Sequence, residues 1–137
     1  MKFTIPGQPQ GKGRAKFARM GAYVKTYTPQ QTASYENLIK LFYKKAFPSK
    51  PLTVAPLKIT IKAYYLIPIS WSNKKRLKAI GGDIRPTVKP DADNVIKVVC
   101  DALNGIAYTD DKQVVEMRCV KIYDVAPRVE VLIEEIS

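Results

Sequence analysis

The stretch Asp91-Ala92-Asp93-Asn94-Val95-Ile96-Lys97-Val98-Val99-Cys100-Asp101-Ala102-Leu103, closed by Asn104-Gly105, decides the architecture. Val95, Val98, Val99, Ala102 and Leu103 recur at spacings of three and four, the apolar stripe of a helix with one buried side. Asp93 or Asn94 starts this helix, and Asn104-Gly105 stops it. Both flanks are extended. In the run from Leu57 to Ile67, Leu57, Ile59, Ile61 and Ala63 alternate with Lys58, Thr60 and Lys62, as in a half-buried strand. Gln113 to Tyr123 and Arg128 to Ile136 read as two more strands, an antiparallel pair joined at Asp124 to Pro127. The expected fold is α+β: residues 1–137 form a single small domain, a mixed β-sheet with helices packed against it.

The rest of the chain fits this frame. Residues 1–6 read as a short strand. Gly7 to Lys16 is a basic loop holding Gly7, Gly11 and Gly13 with Lys12, Arg14 and Lys16. Such a loop contacts phosphates, or is simply a solvated surface loop. It is not a phosphate-binding P-loop, because no Gly-Lys-Ser/Thr follows. Thr28 caps and Pro29 opens a helix through about Phe47, with Ala33, Leu38, Leu41, Phe42 and Tyr43 on its buried side. Ser70 or Ser72 caps a short basic helix, Asn73 to Ile80, which carries Lys74, Lys75 and Arg76 and stops at Gly81-Gly82. Trp71 at its mouth is either a packing anchor or a stacking aromatic for distorted nucleic acid. Ile106 to Tyr108 reads as a short extended piece, and Thr109 to Lys112 as a turn.

Composition excludes several classes of function. The chain has no histidine, so a Ser-His-Asp hydrolase, an HNH-type nuclease and a His-ligated zinc centre are out. Cys100 and Cys119 make neither a disulfide framework nor a zinc site, and read as small buried apolar residues. No apolar run approaches the ~20 residues of a membrane helix, and Met1 to Gly7 lacks the apolar core of a signal peptide. An intracellular, cytoplasmic protein with no membrane partner is expected.

The net charge of +11 is unevenly spread: +9 over residues 1–50, +7 over 51–90 and −5 over 91–137. Charge changes sign at the Pro90-Asp91 step. A basic docking surface thus lies beside an acidic cluster of Asp91, Asp93, Asp110 and Asp111. A polyanion drawn to the first is repelled by the second unless a divalent cation stands between them. Lys and Arg to hold phosphates, with Asp to hold a metal, are the needs of a metal-dependent nuclease. In an extended segment Asp91 and Asp93 project to one face. Lys97 and then Asp101 follow on the same side of the helix, Lys97 placed to contact a scissile phosphate or orient water. The helix carries the chain ~15 Å away. An extended return over Ile106 to Asp110 covers ~16 Å, enough to bring Asp110 or Asp111 back to the first pair. Against this, Asp93 can simply cap the helix, and Asp110-Asp111 can simply make a turn.

Three motifs in order carry a resemblance: Lys89-Pro90-Asp91-Ala92-Asp93-Asn94-Val95-Ile96-Lys97, Asp101-Ala102-Leu103-Asn104-Gly105, and Tyr108-Thr109-Asp110-Asp111-Lys112-Gln113-Val114. They resemble the RusA-like Holliday junction resolvases, whose pattern is Asp-x-Asp-Asn followed by Lys, an Asp-Ala-Leu, and an Asp-Asp before a strand. The Gly-Lys-Gly-Arg loop, Tyr27-Thr28-Pro29 and Tyr35-Glu36 are also similar to the family. The resemblance implies a magnesium-dependent endodeoxyribonuclease, with manganese as the other ion. It implies a homodimer that cuts four-way DNA junctions by paired symmetric nicks in recombination and repair, often encoded by prophages. It makes Asp91, Asp93 and Asp111 the metal site and Lys97 the catalytic lysine, with Asp110 ranked below Asp111. Lys12, Arg14, Lys16, Lys74, Lys75, Arg76 and Lys89 are the candidate DNA contacts. The competing readings are a less selective flap or fork nuclease and a non-catalytic basic nucleic-acid-binding protein.

Overall fold

Alternation of apolar and polar residues over Leu57–Leu66 buries Leu57, Ile59, Ile61, Ala63 and Tyr65 on one face, so this strand lies at the centre of the sheet. The computed structural model describes residues 1–13, 16–21, 23–27 and 30–136, without the side chains of 16–20 and 23–27. In chain order the elements are β1 (Lys2–Pro6), β2 (Lys16–Met20), β3 (Tyr23–Tyr27), α1 (Gln30–Ala46), β4 (Leu57–Leu66), α2 (Asn73–Ile80), α3 (Ala92–Leu103), β5 (Val114–Asp124) and β6 (Arg128–Glu135). The fold is a single α+β domain around a mixed four-stranded sheet of order β1-β6-β4-β5. β2 and β3 form a separate antiparallel hairpin.

The register sorts the sheet into two faces. Ile59 pairs with Ile133, Ile61 with Val131 and Ala63 with Val129, while Phe3 and Ile5 pair with Val131 and Val129. All of these are buried. α1 covers this face with Tyr35, Ile39 and Tyr43, and α3 covers it with Val95, Val98, Val99, Ala102 and Leu103. Burying these side chains stabilises the fold by about 1.5–3 kcal/mol for each large one. The other face carries Thr4, Thr60 and Lys62, and stays open to water, as a partly antiparallel sheet allows.

Four expectations need correcting. First, β5 and β6 are not a hydrogen-bonded pair: β4 stands between them, parallel to β5 and antiparallel to β6. Two strand spacings are about 10 Å. The three residues Val125, Ala126 and Pro127 span that gap as readily as they close a hairpin. Second, the buried stripe of α1 is Thr32, Tyr35, Ile39 and Tyr43, and Leu41 is exposed. Third, Gly105 to Ala107 is a turn, with Gly105 at φ +75° and Tyr108 bridged to Thr53 and Asn104, so the chain does not return extended. Fourth, the hairpin of β2 and β3 replaces what the sequence pattern leaves without an element. Arg14, Thr28 and Pro29 lie outside the described residues, as does the side chain of Lys16.

α3 begins earlier than expected, at Ala92 with Asp91 at its cap position, and Cys119 is only part-buried, whereas α2 keeps its expected bounds and cap. Ser72 caps α2, its Oγ accepting from the Lys75 N–H at 3.3 Å. Trp71 packs edge-on against Tyr123, centroids 5.2 Å apart, with the Lys75 ammonium 4.0 Å above the indole. It is a packing anchor.

Candidate active site on α3 and the Asp110 turn

Parallel neighbours such as β4 and β5 cannot be joined by a tight turn. The connection between them carries α2, α3 and the turn at Asp110, and so every candidate carboxylate. α3 begins at Ala92, with Asp91 at the cap position in extended backbone. The Asp91 side chain makes no capping bond. Asp93 therefore lies in the first helical turn rather than in an extended segment. Its carboxylate would favour the positive end of the helix dipole wherever it pointed. Lys97, one turn on, reaches Asp93 Oδ2 only at 4.0 Å, and both side chains are largely exposed.

Asp101 continues the same side of α3. Lys12 Nζ joins it at 3.2 Å and joins Glu36 Oε1 at 2.6 Å. Burial lowers the pKa of Lys12, but the hydrogen bonds to Glu36 and Asp101 outweigh that and raise it. Lys12 thus ties the N-terminal loop to α1 and α3. The same loop is pinned by the Lys12 N–H to the Asn94 carbonyl at 3.1 Å and the Gly13 N–H to Thr32 Oγ1 at 3.0 Å. A Cβ on Gly11 would lie 3.0 Å from the Cβ atoms of both Asn94 and Pro90. The candidate basic loop is docked on the start of α3.

The two adjacent aspartates differ in what they do. Asp110 Oδ1 accepts the Lys112 N–H at 3.0 Å, and Gln113 Oε1 accepts the Asp110 N–H at 2.9 Å, a capping box for the short 3-10 turn Asp111–Gln113. Gln113 Nε2 in turn donates to the Thr53 and Ala55 carbonyls, both at 3.0 Å. The Lys112 N–H holds the Asp110 carboxyl below its ordinary pKa. Asp111 caps nothing. Its hydrogen bond with the Asp110 carboxylate raises its pKa, and the nearby charge of Asp101 raises it further. Asp111 stands beside the C-terminal half of α3, where its charge and that of Asp101 both act on Cys100 and Tyr108. Burial pushes the Cys100 thiol up to about 11, so it behaves as an apolar side chain.

Among the described residues no three carboxylate or thiol groups are gathered closely enough to hold a metal ion. The donor chemistry nevertheless suits a hard divalent cation. Asp91, Asp93 and Asp111 are exposed oxygen donors, and Asp91 makes no ion pair among the described residues. Adjacent carboxylates that repel one another, as the raised pKa of Asp111 beside Asp110 reflects, are what a bound cation relieves.

Of the remaining candidate DNA contacts, Lys74, Lys75 and Lys89 are exposed, and Arg76 Nη1 is held by the Pro68 carbonyl at 2.9 Å. Sequence reasoning missed Tyr65 and Lys121. The Tyr65 O–H donates to the Pro90 carbonyl at 2.6 Å, and Lys121 Nζ donates to the Val88 carbonyl at 2.6 Å while lying 5.0 Å above the Tyr65 ring. The one signal was a tyrosine at an inward position of β4, where its hydroxyl must find a partner.

Comparison with known proteins bears on this arrangement. The chain is 39% identical over 139 residues to an uncharacterized protein, YqaN, of Bacillus subtilis (strain 168), an alignment covering 100% of this chain and 97% of the relative. A family model described as endodeoxyribonuclease RusA matches residues 6–134, which takes in β4, both acidic segments and most of the sheet. The chain therefore belongs to the RusA endodeoxyribonuclease family, whose members are Holliday junction endonucleases that generally depend on a divalent metal.

Proposed function

We propose that this protein is a magnesium-dependent, structure-specific endodeoxyribonuclease that resolves four-way DNA junctions as a homodimer, by paired symmetric nicks. The observation that carries the reading is the family match over residues 6–134. The exposed carboxylates of Asp91, Asp93 and Asp111, with Lys97 one helical turn from Asp93, are consistent with it. In this reading those three aspartates hold the cation, with manganese as an alternative ion. Asp111 is preferred over Asp110 because the Asp110 carboxylate is already used in the capping box.

A bound magnesium ion would neutralise charge on the phosphate and acidify a water. Lys97, held only loosely by Asp93, is free to turn toward a phosphate oxygen. The exposed Lys74, Lys75 and Lys89 hold the DNA backbone without reading bases, as recognition by branched shape requires. A junction has two equivalent strands to cut, and a two-fold dimer presents one site to each.

The test is a labelled four-way junction and a matched linear duplex, each with magnesium or with EDTA, for the wild type and Asp93→Asn. Paired nicks confined to the junction, and lost with EDTA or with Asp93→Asn, are expected. Cutting of flaps and forks as fast as junctions would instead make it a less selective nuclease. Junction binding with no metal-dependent cutting would make it a non-catalytic binder.

A further inference from the structure

An open groove of about 470 Å³ lies along the outer edge of β5, lined by Arg85, Pro86, Ala92, Arg118, Cys119 and Lys121 among others. β5 is an edge strand of the sheet. Three of its lining residues are cations and none is acidic. None of the three forms an ion pair among the described residues, whereas Lys2, Lys12, Lys58, Lys97 and Arg128 each face a carboxylate. Concentrated, unneutralised positive charge in a concave surface attracts a polyanion.

Two of the cations are held in place. Arg85 Nε donates to the Lys121 carbonyl at 2.8 Å, which covers an outward carbonyl of the edge strand and leaves the other guanidinium nitrogens available. Lys121 Nζ is fixed over the Tyr65 ring by the Val88 carbonyl. Ala92, the first residue of α3 and between Asp91 and Asp93 in the chain, also lines the groove.

We propose that this groove seats the phosphodiester backbone of the DNA strand entering the Asp91–Asp93 carboxylates, with the Arg85 guanidinium as its principal phosphate contact. This rests on the nuclease reading above and adds a path for the strand that the basic loop and α2 do not supply. An arginine fits the role, since its planar fork can hold two phosphate oxygens while Nε stays on the protein.

The test is binding to a four-way junction in EDTA across a salt series, followed by single-turnover cutting with magnesium. Arg85→Gln removes the charge, and Arg85→Lys keeps it. Lys2→Gln removes one charge at β1, the opposite edge of the sheet. Arg85→Gln is expected to reduce the slope of log K against log salt by about one and to weaken binding up to about tenfold at low salt. Cutting by this variant should recover at saturating protein. Arg85→Lys should restore most of the slope, and Lys2→Gln should leave it unchanged. An unchanged slope in Arg85→Gln, or an equal drop in Lys2→Gln, overturns the groove while wild-type cutting of the junction upholds the nuclease. A wild type that neither binds nor cuts the junction overturns both.

Discussion

The Tyr65 hydroxyl donates to the Pro90 carbonyl at 2.6 Å, so the central strand of the sheet holds the peptide immediately before Asp91. Burial, then the charges of Cys119 and Asp91, push the pKa of this phenol well up, so it remains a donor throughout the neutral and mildly basic range. Tyr65→Phe leaves the carbonyl without its partner. A stability loss of about 1–2 kcal/mol in urea unfolding is expected. Junction cutting should fall more than junction binding, because the change acts through the position of Asp91. Equal loss of both would show that the bond supports the fold alone.

Asp93 and Lys97 are both largely exposed, so replacing either should leave the fold intact. Asp93→Asn and Lys97→Ala are each expected to slow cutting by about a hundredfold or more, with the fold retained and the melting temperature changed only slightly, for Asp93→Asn by the lost helix-dipole interaction. Asp93→Asn should keep or tighten junction binding, since it removes a repelling charge. Lys97→Ala with unchanged turnover would remove that residue from the chemistry.

Asp110 and Asp111 should separate in a thermal melt. Asp110→Ala breaks the capping box, so it should lower the melting temperature with or without magnesium. Asp111→Asn should not, because Asp111 caps nothing. Magnesium at ten times its dissociation constant stabilises a binding protein by ~1.4 kcal/mol. That gain should appear in the wild type, survive in Asp110→Ala and disappear in Asp111→Asn. Loss of the gain in Asp110→Ala alone would reverse the assignment.

Gly11 approaches Asn94 and Pro90 so closely that a methyl group there must displace the loop or the start of α3. Gly11→Ala is expected to cost ~1 kcal/mol and to lower cutting. Stability and cutting rate, measured together, check this. A neutral outcome in both would mean that the loop moves aside without consequence.

The Arg128 guanidinium donates to Asp124 Oδ2 at 2.8 Å and stacks over Tyr64 at 3.8 Å. It holds the Asp124 carboxyl below its ordinary pKa. A depressed carboxylate contributes stability above its unfolded pKa and loses it as pH falls through the folded value. Asp124→Asn should therefore be less stable than the wild type at pH 7, by no more than about 1 kcal/mol for so accessible a pair. The difference should shrink as the solution becomes acidic. Urea unfolding at neutral and acidic pH measures it.

Features set by spacing along the chain are legible in the sequence itself. The stripe Val95, Val98, Val99, Ala102 and Leu103 is buried in α3, the alternation from Leu57 lies in β4, and Ser72 caps α2. Each is a periodicity or a cap that a few neighbouring residues specify by themselves. The acidic motifs are legible for the same reason, since their order and spacing are properties of the chain.

Pairing across the sheet is not legible in this way. β4 inserts between β5 and β6, although only three residues join those two strands, because strand partners are chosen by a core assembled from distant segments. Tyr43 is buried in α1 as expected, but Leu41 is not, because Thr32, Tyr35 and Ile39 are chosen by contact with β1 and α3, and a polar tip does not disqualify a residue. Likewise, Asp110 and Asp111 are the same residue type in the same turn. Only the placement of Gln113 against Thr53 and Ala55 makes Asp110 the cap and leaves Asp111 without that role. Residue type supplies a carboxylate; long-range packing decides which carboxylate is already occupied.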